Sequence, residues 1–152
     1  MTLFPIFLLA SGAAAATGIV FRPGPWYAAL RKPSFTPPNW AFPVAWTLIY
    51  LLSALAATRV AVLPGAGIAL ALWSAQIALN TLWTPLFFGA RRMGLAMICM
   101  AVLVVVVAAM TVTFWRLDWI AGLMLLPYLG WLGVATGLNW RIMRDNPGAG
   151  AA

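Results

Sequence analysis

Five long apolar segments limit the fold that this sequence can adopt. A helix that spans a bilayer needs about 20 mainly apolar residues, and each of the five is long enough. Only 7% of the 152 residues are charged and 64% are hydrophobic, too little polar surface to coat a water-soluble globule. The sequence therefore predicts one all-α integral membrane domain over residues 1–152, a bundle of five transmembrane helices. The predicted spans are residues 3–21, 41–63, 67–88, 93–115 and 119–143.

The longest connection, residues 22–40, contains five prolines and the amphipathic stretch WYAALRK. Because proline fixes φ and restricts the residue before it, we expect a short interfacial helix followed by an extended segment. We call this connection loop one. The first apolar segment ends in small residues, as a signal peptide does, but it lacks a basic start, so we expect it to be retained as the first helix.

The net charge of +7 comes from nine basic and two acidic residues. The basic residues stand singly or in pairs between apolar runs, which indicates loops at a membrane surface rather than a nucleic-acid interface. Five spans place loop one, the third loop and the C-terminus on one side, and the positive-inside rule predicts that this side is cytoplasmic. It carries Arg22, Arg31, Lys32, Arg91, Arg92, Arg141 and Arg144, against Arg59 and Arg116 on the other side.

The third segment has two different faces at 100° per residue. One face carries only small side chains, which let helix backbones approach closely. We interpret it either as the seam of a homodimer or as a contact with another helix of the same chain. Its residues are Gly67, Ala71, Ala75 and Ala78.

The opposite face is polar and aromatic. Gln76 and Asn80 would be costly in hydrocarbon without partners, so they either bond to a neighbouring helix or line a ligand cavity. Aromatic stripes on the second and fifth segments converge at the same depth below loop one, which favours a cavity with loop one as its lid. The face of the third segment also carries Trp73, Trp83, Thr84 and Phe87. The stripe on the second segment comprises Phe42, Trp46, Tyr50, Ser53 and Ala57. The stripe on the fifth segment comprises Met124, Pro127, Tyr128, Trp131, Ala135 and Leu138.

Several kinds of chemistry are disfavoured by the residues themselves. The chain has no histidine, so ordinary histidine ligation of haem is excluded, and we predict neither a metal site nor an obligatory cofactor. It offers no acid–base or nucleophile–base pair for ordinary turnover. No span has an ionisable group near its centre, which disfavours proton-coupled transport but leaves passive movement open.

Residues 26–50, WYAALRKPSFTPPNWAFPVAWTLIY, resemble the translocator protein family, also called tryptophan-rich sensory proteins or peripheral-type benzodiazepine receptors. ALNTLWTPLFFGARR at 78–92 and LLPYLGWLGVATGLNWRIMRDN at 125–146 extend the resemblance over nearly the whole chain. It implies five transmembrane helices around a cavity closed by loop one, commonly in a homodimer. Family members bind porphyrins such as protoporphyrin IX, benzodiazepine-type ligands and, in animals, cholesterol.

The resemblance also suggests roles for individual residues. Trp46 and Trp131 match tryptophans linked to porphyrin binding and to its light-dependent breakdown. Tyr27, Pro37 and Asn80 match pocket-lining positions, and Ala135 matches a position that alters ligand affinity. With the faces described above, the expected ligand site comprises Tyr27, Pro37, Trp46, Tyr50, Asn80, Trp83, Phe87, Trp131, Ala135 and Leu138.

Arg22, Arg31 and Lys32 flank the expected mouth of the cavity. They are candidates to pair with porphyrin propionates, or they serve only as membrane-surface charge. The segment LNWRIMR carries Trp140 and Arg141 where the cholesterol motif of animal relatives has tyrosines, so we do not expect strong cholesterol recognition.

The function expected from these observations is a sensor or carrier of tetrapyrroles that regulates their metabolism or a stress response. Two alternatives stay open. One is a slow, enzyme-like photo-oxidation of porphyrin at Trp46 or Trp131. The other is passive transport of porphyrin or sterol.

Overall fold

The computed structural model describes residues 3–150, and that range contains helices but no strand. The helices are α1 (Phe4–Val20), α2 (Pro25–Ala29), α3 (Ala41–Val60), α4 (Gly67–Thr84), α5 (Met93–Leu117), α6 (Trp119–Met124) and α7 (Leu126–Asp145). By length and composition, three helical stretches can cross a membrane: α3, α5, and α6 with α7 taken together. An all-α membrane bundle is therefore confirmed, as is a short helix, α2, within loop one.

The long helices form a closed ring. Helix α1 packs against α3 and α4, α4 packs against α5, and α5 packs against α6 and α7. The contact between α3 and α6 closes the ring on the other side. This arrangement surrounds an interior that all the long helices line, so side chains distant in sequence can meet there.

Two predicted helices are interrupted at prolines. Pro85 has no N–H to continue the α-helical ladder, and the chain widens into a π-helical turn, Pro85–Gly89, where the Ala90 N–H donates to the Pro85 carbonyl at 2.8 Å. The fifth segment breaks at Leu125, and Pro127 then lies in the first turn of α7, where a missing N–H costs nothing. The apolar pattern predicts both segments as continuous helices, and the structure corrects this.

At one end of the bundle, which we call the closed end, the chain turns tightly between α5 and α6. The Asp118 carboxylate accepts hydrogen bonds from the Ile120 N–H at 2.9 Å and the Ala121 N–H at 3.4 Å, and so caps α6. Its other oxygen lies 2.6 Å from the Arg59 Nε. A Cβ on Gly122 would stand 2.7 Å from the Trp115 Cα, so only glycine permits this approach.

Loop one, the turn after the π-helical segment and the C-terminal segment meet at the other end. The Trp26 indole N–H donates to the Ala149 carbonyl at 2.8 Å, and the Arg91 guanidinium lies over the Trp26 ring at 5.6 Å. The regions that carry most of the basic residues therefore share one end of the bundle, as the sequence predicts, while Arg59 lies at the closed end.

Candidate ligand cavity

A cavity of about 1000 Å³ occupies the loop-one end of the bundle. Helices α1, α3, α4, α5 and α7 supply its walls, and the stretch from Phe21 to Asn39 supplies residues at its mouth. Ligand pockets in proteins typically measure about 300–1000 Å³, so this cavity can hold a large ligand. Apolar surface predominates in its lining, as expected for an apolar guest.

Nine of the ten residues expected at the ligand site line this cavity. They are Tyr27, Trp46, Tyr50, Asn80, Trp83, Phe87, Trp131, Ala135 and Leu138. The tenth, Pro37, is not among the lining residues. These nine come from loop one, α3, α4, the π-helical turn and α7, so the ring of helices assembles them.

The three basic residues expected near the mouth lie in different surroundings. Lys32 lines the cavity, whereas Arg22 and Arg31 do not. The Arg22 Nε donates to the Ile19 carbonyl at 3.1 Å, at the end of α1. The backbone of Arg31 is bound by Asn146, near the C-terminus. Only Lys32 is thus placed to meet a ligand directly.

One wall of the cavity consists of rings from α3 and α7. Trp46 stacks on Tyr50 with ring centroids 5.6 Å apart and planes 27° apart. One turn earlier on α3, Phe42 meets Trp131 of α7 edge to face at 5.5 Å. Both tryptophans are half-buried, so each retains ring surface that a ligand can contact.

A second wall consists of rings from α4 and the π-helical turn. Trp83 stacks on Phe87 at 5.1 Å with planes 17° apart, and Phe88 lies edge-on to Phe87 at 4.9 Å. The π-helical turn changes the register at this point, and single π turns are frequent at functional sites. Phe87 is fully buried, while Trp83 and Phe88 also border the cavity.

A buried polar chain lies next to the first wall. The Asn80 Nδ2 donates to the Tyr128 hydroxyl at 2.9 Å, and that hydroxyl donates to the Gln76 Oε1 at 2.9 Å. Tyr128 also meets Trp46 edge to face at 6.1 Å. The sequence left a choice between helix-to-helix bonding and a cavity for Gln76 and Asn80. Both residues bond to α7 through Tyr128, and Asn80 also lines the cavity.

Three buried polar atoms have no hydrogen-bond partner within residues 3–150. They are the Gln76 Nε2, the Trp83 Nε1 and the Asn139 Oδ1. Trp83 and Asn139 both line the cavity. An unpaired buried donor or acceptor is costly, so these three groups lower the stability of the bundle.

Loop one contributes a ring and a positive charge to the mouth. The Lys32 ammonium lies 4.6 Å from the centre of the Tyr27 ring and donates to the carbonyls of Ala28 and Leu30 at 3.3 Å. Burial raises the pKa of the Tyr27 phenol. The phenol is therefore neutral at physiological pH and Lys32 is the positive group of this edge.

No residue of α1 was among those expected at the site. Ala14, Ala15, Gly18 and Ile19 of α1 nevertheless line the cavity. Ala14, Ala15 and Gly18 have small side chains that leave space beside the bulky rings of α3, within the small-residue stretch GAAAATG at 12–18. Asn139 is a further lining residue that was not singled out.

The small-residue face of α4 lies on the outside of the bundle. Gly67, Ala71 and Ala78 are exposed and Ala75 is half-buried. This face is largely uncovered by the described part of the chain.

Comparison with known proteins identifies the family. The sequence profile of the TspO/MBR family matches residues 2–144. The chain belongs to the TspO/MBR family. It is 51% identical to the tryptophan-rich sensory protein of Cereibacter sphaeroides, over 95% of this chain and 91% of that protein.

Two other relatives are also similar over most of their length. Protein CrtK of Rhodobacter capsulatus is 47% identical, over 97% of this chain and 95% of that protein. The human translocator protein is 38% identical, over 81% of this chain and 76% of that protein. Family membership and the apolar helices together establish an integral membrane protein.

Proposed function

We propose that this TspO/MBR protein is a membrane receptor that binds flat aromatic ligands, above all porphyrins, and acts as a sensor or carrier in tetrapyrrole metabolism or stress response. The observation that supports this most is the cavity of about 1000 Å³ lined by rings from separate helices and covered by loop one. The names of its relatives, sensory protein and translocator protein, agree with such a role.

The chemistry of the walls suits a porphyrin. A porphyrin is a rigid apolar disc with two propionates, and stacking on an indole contributes about 0.5–1.5 kcal/mol per pair beyond burial. Trp46, Trp131 and Trp83 all line the cavity and offer such surface. Lys32 supplies a cation at the mouth. Benzodiazepine-type ligands share the flat aromatic shape.

Titration of tryptophan fluorescence with metal-free protoporphyrin IX tests this function. We expect saturable quenching, with the Kd raised about two- to tenfold in each of Trp46→Leu and Trp131→Leu because each removes one stacking surface. Trp140→Leu changes an exposed tryptophan of α7 that does not line the cavity, so it is the matched control and should bind as wild type does. Equal affinity in all three variants, or no saturable binding by the wild type, would refute the function.

A second candidate function is light-driven degradation of the bound pigment, because Trp46 and Trp131 both border the cavity. Excited porphyrin can exchange an electron with an adjacent indole, and dissolved dioxygen is the oxidant consumed as the pigment is lost. We expect Trp46→Phe and Trp131→Phe to abolish pigment loss under illumination while retaining binding. Pigment loss at the wild-type rate in both variants would assign the reaction to free porphyrin in solution.

We propose further that five helices cross the membrane, α6 and α7 forming one span, with loop one and the C-terminus in the cytoplasm. Seven basic residues on that side against two on the other support this orientation. A reporter that functions only in the cytoplasm should be active when it is fused to the C-terminus. Activity of a reporter that functions only outside the cytoplasm would contradict it.

The exposed small-residue face of α4 supports a homodimer. Ala71→Leu, placed on that face, should reduce cross-linking between protomers in a membrane. Ala101→Leu, at an exposed position on α5, is the control. Equal cross-linking of the two variants would place the seam elsewhere.

A further inference from the structure

The C-terminal segment holds loop one in place through the side chain of Asn146. The Asn146 Oδ1 accepts from the Arg31 N–H at 2.8 Å, and the Asn146 Nδ2 donates to the Arg31 carbonyl at 2.9 Å. One amide thus binds both backbone groups of one residue, much as an adjacent strand would. These bonds join residues 115 positions apart.

The Asn146 side chain is itself fixed in orientation. Its Nδ2 also donates to the Ile142 carbonyl in the last turn of α7 at 2.8 Å, which caps the helix. The amide can therefore reach Arg31 without ordering a flexible side chain, since the helix end already holds it. A lateral shift of loop one breaks both bonds to Arg31 together.

A second contact lies beside the first. The Trp26 indole N–H donates to the Ala149 carbonyl at 2.8 Å, and Arg91 covers the Trp26 ring. Leu30, between these two anchor points, is buried beside Phe87 and Ile142. Loop one is therefore tied at residues 26 and 31 to the five residues that follow α7.

The tied stretch is also the part of loop one that borders the cavity. Tyr27, Ala28 and Lys32 line the cavity, whereas Trp26, Arg31 and Asn146 do not. The tie therefore positions the residues at the mouth without touching a guest. A ligand that passes through the loop-one end must displace this stretch.

We propose that Asn146 is a positioning residue that latches loop one over the cavity, so that breaking its bonds to Arg31 limits the rate of ligand exchange. This inference rests on the proposed ligand-binding function. Because Asn146 does not line the cavity, loosening the latch accelerates entry and exit by the same factor and leaves the Kd nearly unchanged while the closed form predominates.

Amide hydrogen exchange in the ligand-free protein in detergent or nanodiscs tests the latch directly. In Asn146→Leu, exchange in residues 26–32 should accelerate about tenfold, because two hydrogen bonds to Arg31 are lost. Asp145→Asn is the matched control: it removes the adjacent ion pair with Arg141 but keeps the Asn146 amide, and exchange should match wild type. Trp26→Phe removes the hydrogen bond to Ala149 but keeps an aromatic ring beneath Arg91. It should accelerate exchange less than tenfold and serves if Asn146→Leu does not fold.

Stopped-flow quenching with protoporphyrin IX gives the functional measurement. The association and dissociation rates should both rise about tenfold in Asn146→Leu, with the Kd within about twofold of wild type. Unchanged exchange in residues 26–32 in both Asn146→Leu and Trp26→Phe would overturn the latch. Faster amide hydrogen exchange with unchanged ligand association and dissociation rates would show that the bonds of Asn146 do not limit ligand exchange. A wild type that does not bind protoporphyrin IX refutes the proposed function instead, and the exchange experiment still decides whether the latch exists.

Discussion

Helix α3 takes part in both the closed end and the loop-one end of the bundle, and the two ends differ in the size of its side chains. Near the closed end, Ala56, Ala57 and Val60 have no exposed surface and pack in one cluster with Phe114 and other residues of α5 and α6. Near loop one, α3 carries the half-buried Phe42 and Trp46. Small side chains let helices approach closely, whereas the rings line an unfilled space.

The two ends of the bundle therefore have different roles. Dense packing at the closed end stabilises a ring of helices whose other end is left hollow. An unfilled apolar cavity forgoes dispersion contacts and so costs stability, a cost typical of binding sites. Truncations should therefore affect stability most at the closed end and ligand affinity most at the loop-one end.

The largest expected difference comes from truncating one ring at each end. Phe114→Ala removes a fully buried ring from the closed end and should reduce the free energy of unfolding by about 3–5 kcal/mol. Trp46→Ala removes a half-buried ring that already borders a cavity, so its cost in stability should be clearly smaller, and it should weaken the proposed ligand binding. Thermal unfolding of the ligand-free variants in one detergent measures both, and equal losses would contradict the comparison.

The addition of a single methyl group tests how tightly the closed end is packed. Gly122→Ala forces a Cβ against the Trp115 backbone, and such overpacking costs about 1–3 kcal/mol. Gly133→Ala, in a helix with no neighbouring atom within 4 Å of the added Cβ, is the matched control and should be neutral or slightly stabilising. If both variants have the same melting temperature, the close approach of α5 and α6 does not require glycine at position 122.

Between the two ends, Tyr128→Phe tests the polar chain. The substitution leaves the Asn80 Nδ2 and the Gln76 Oε1 without the hydroxyl that joins them, at a cost of about 1 kcal/mol for each buried group. Tyr50→Phe keeps its ring stacked on Trp46 and provides the control. A melting temperature for Tyr128→Phe equal to that of the control would show that the hydroxyl does not join α4 to α7.

The smallest expected effect is electrostatic and belongs to the closed end. The hydrogen bond from Arg59, with those from Ile120 and Ala121, holds the pKa of Asp118 below its usual value. The resulting stabilisation is present above about pH 4 and is lost as the pH falls through the lowered pKa. Arg59 is 42% exposed, so the effect should stay below about 1 kcal/mol. Asp118→Asn should lose this acid sensitivity in thermal unfolding.

Much of the candidate site was predictable because aromatic and polar residues recur at helical spacing. Trp46 and Tyr50 lie one turn apart on α3, and Asn80 and Trp83 lie one turn apart on α4, so one helix face carries each pair. The contribution of α1 was not predictable in this way, since Ala14 and Gly18 carry no ring or polar group. Their role depends on the space that they leave beside larger neighbours.

The sequence alone determined the membrane environment, the helical class and the faces that carry rings, because hydropathy and periodicity are local properties of the chain. Only the tertiary structure decided that Tyr128 joins Gln76 to Asn80, that Pro85 produces a π-helical turn, and that Asn146 ties loop one to the end of α7. Each of these depends on distances between residues far apart in sequence or on how a helix relieves a missing hydrogen bond. Periodicity in a single segment carries no information about either.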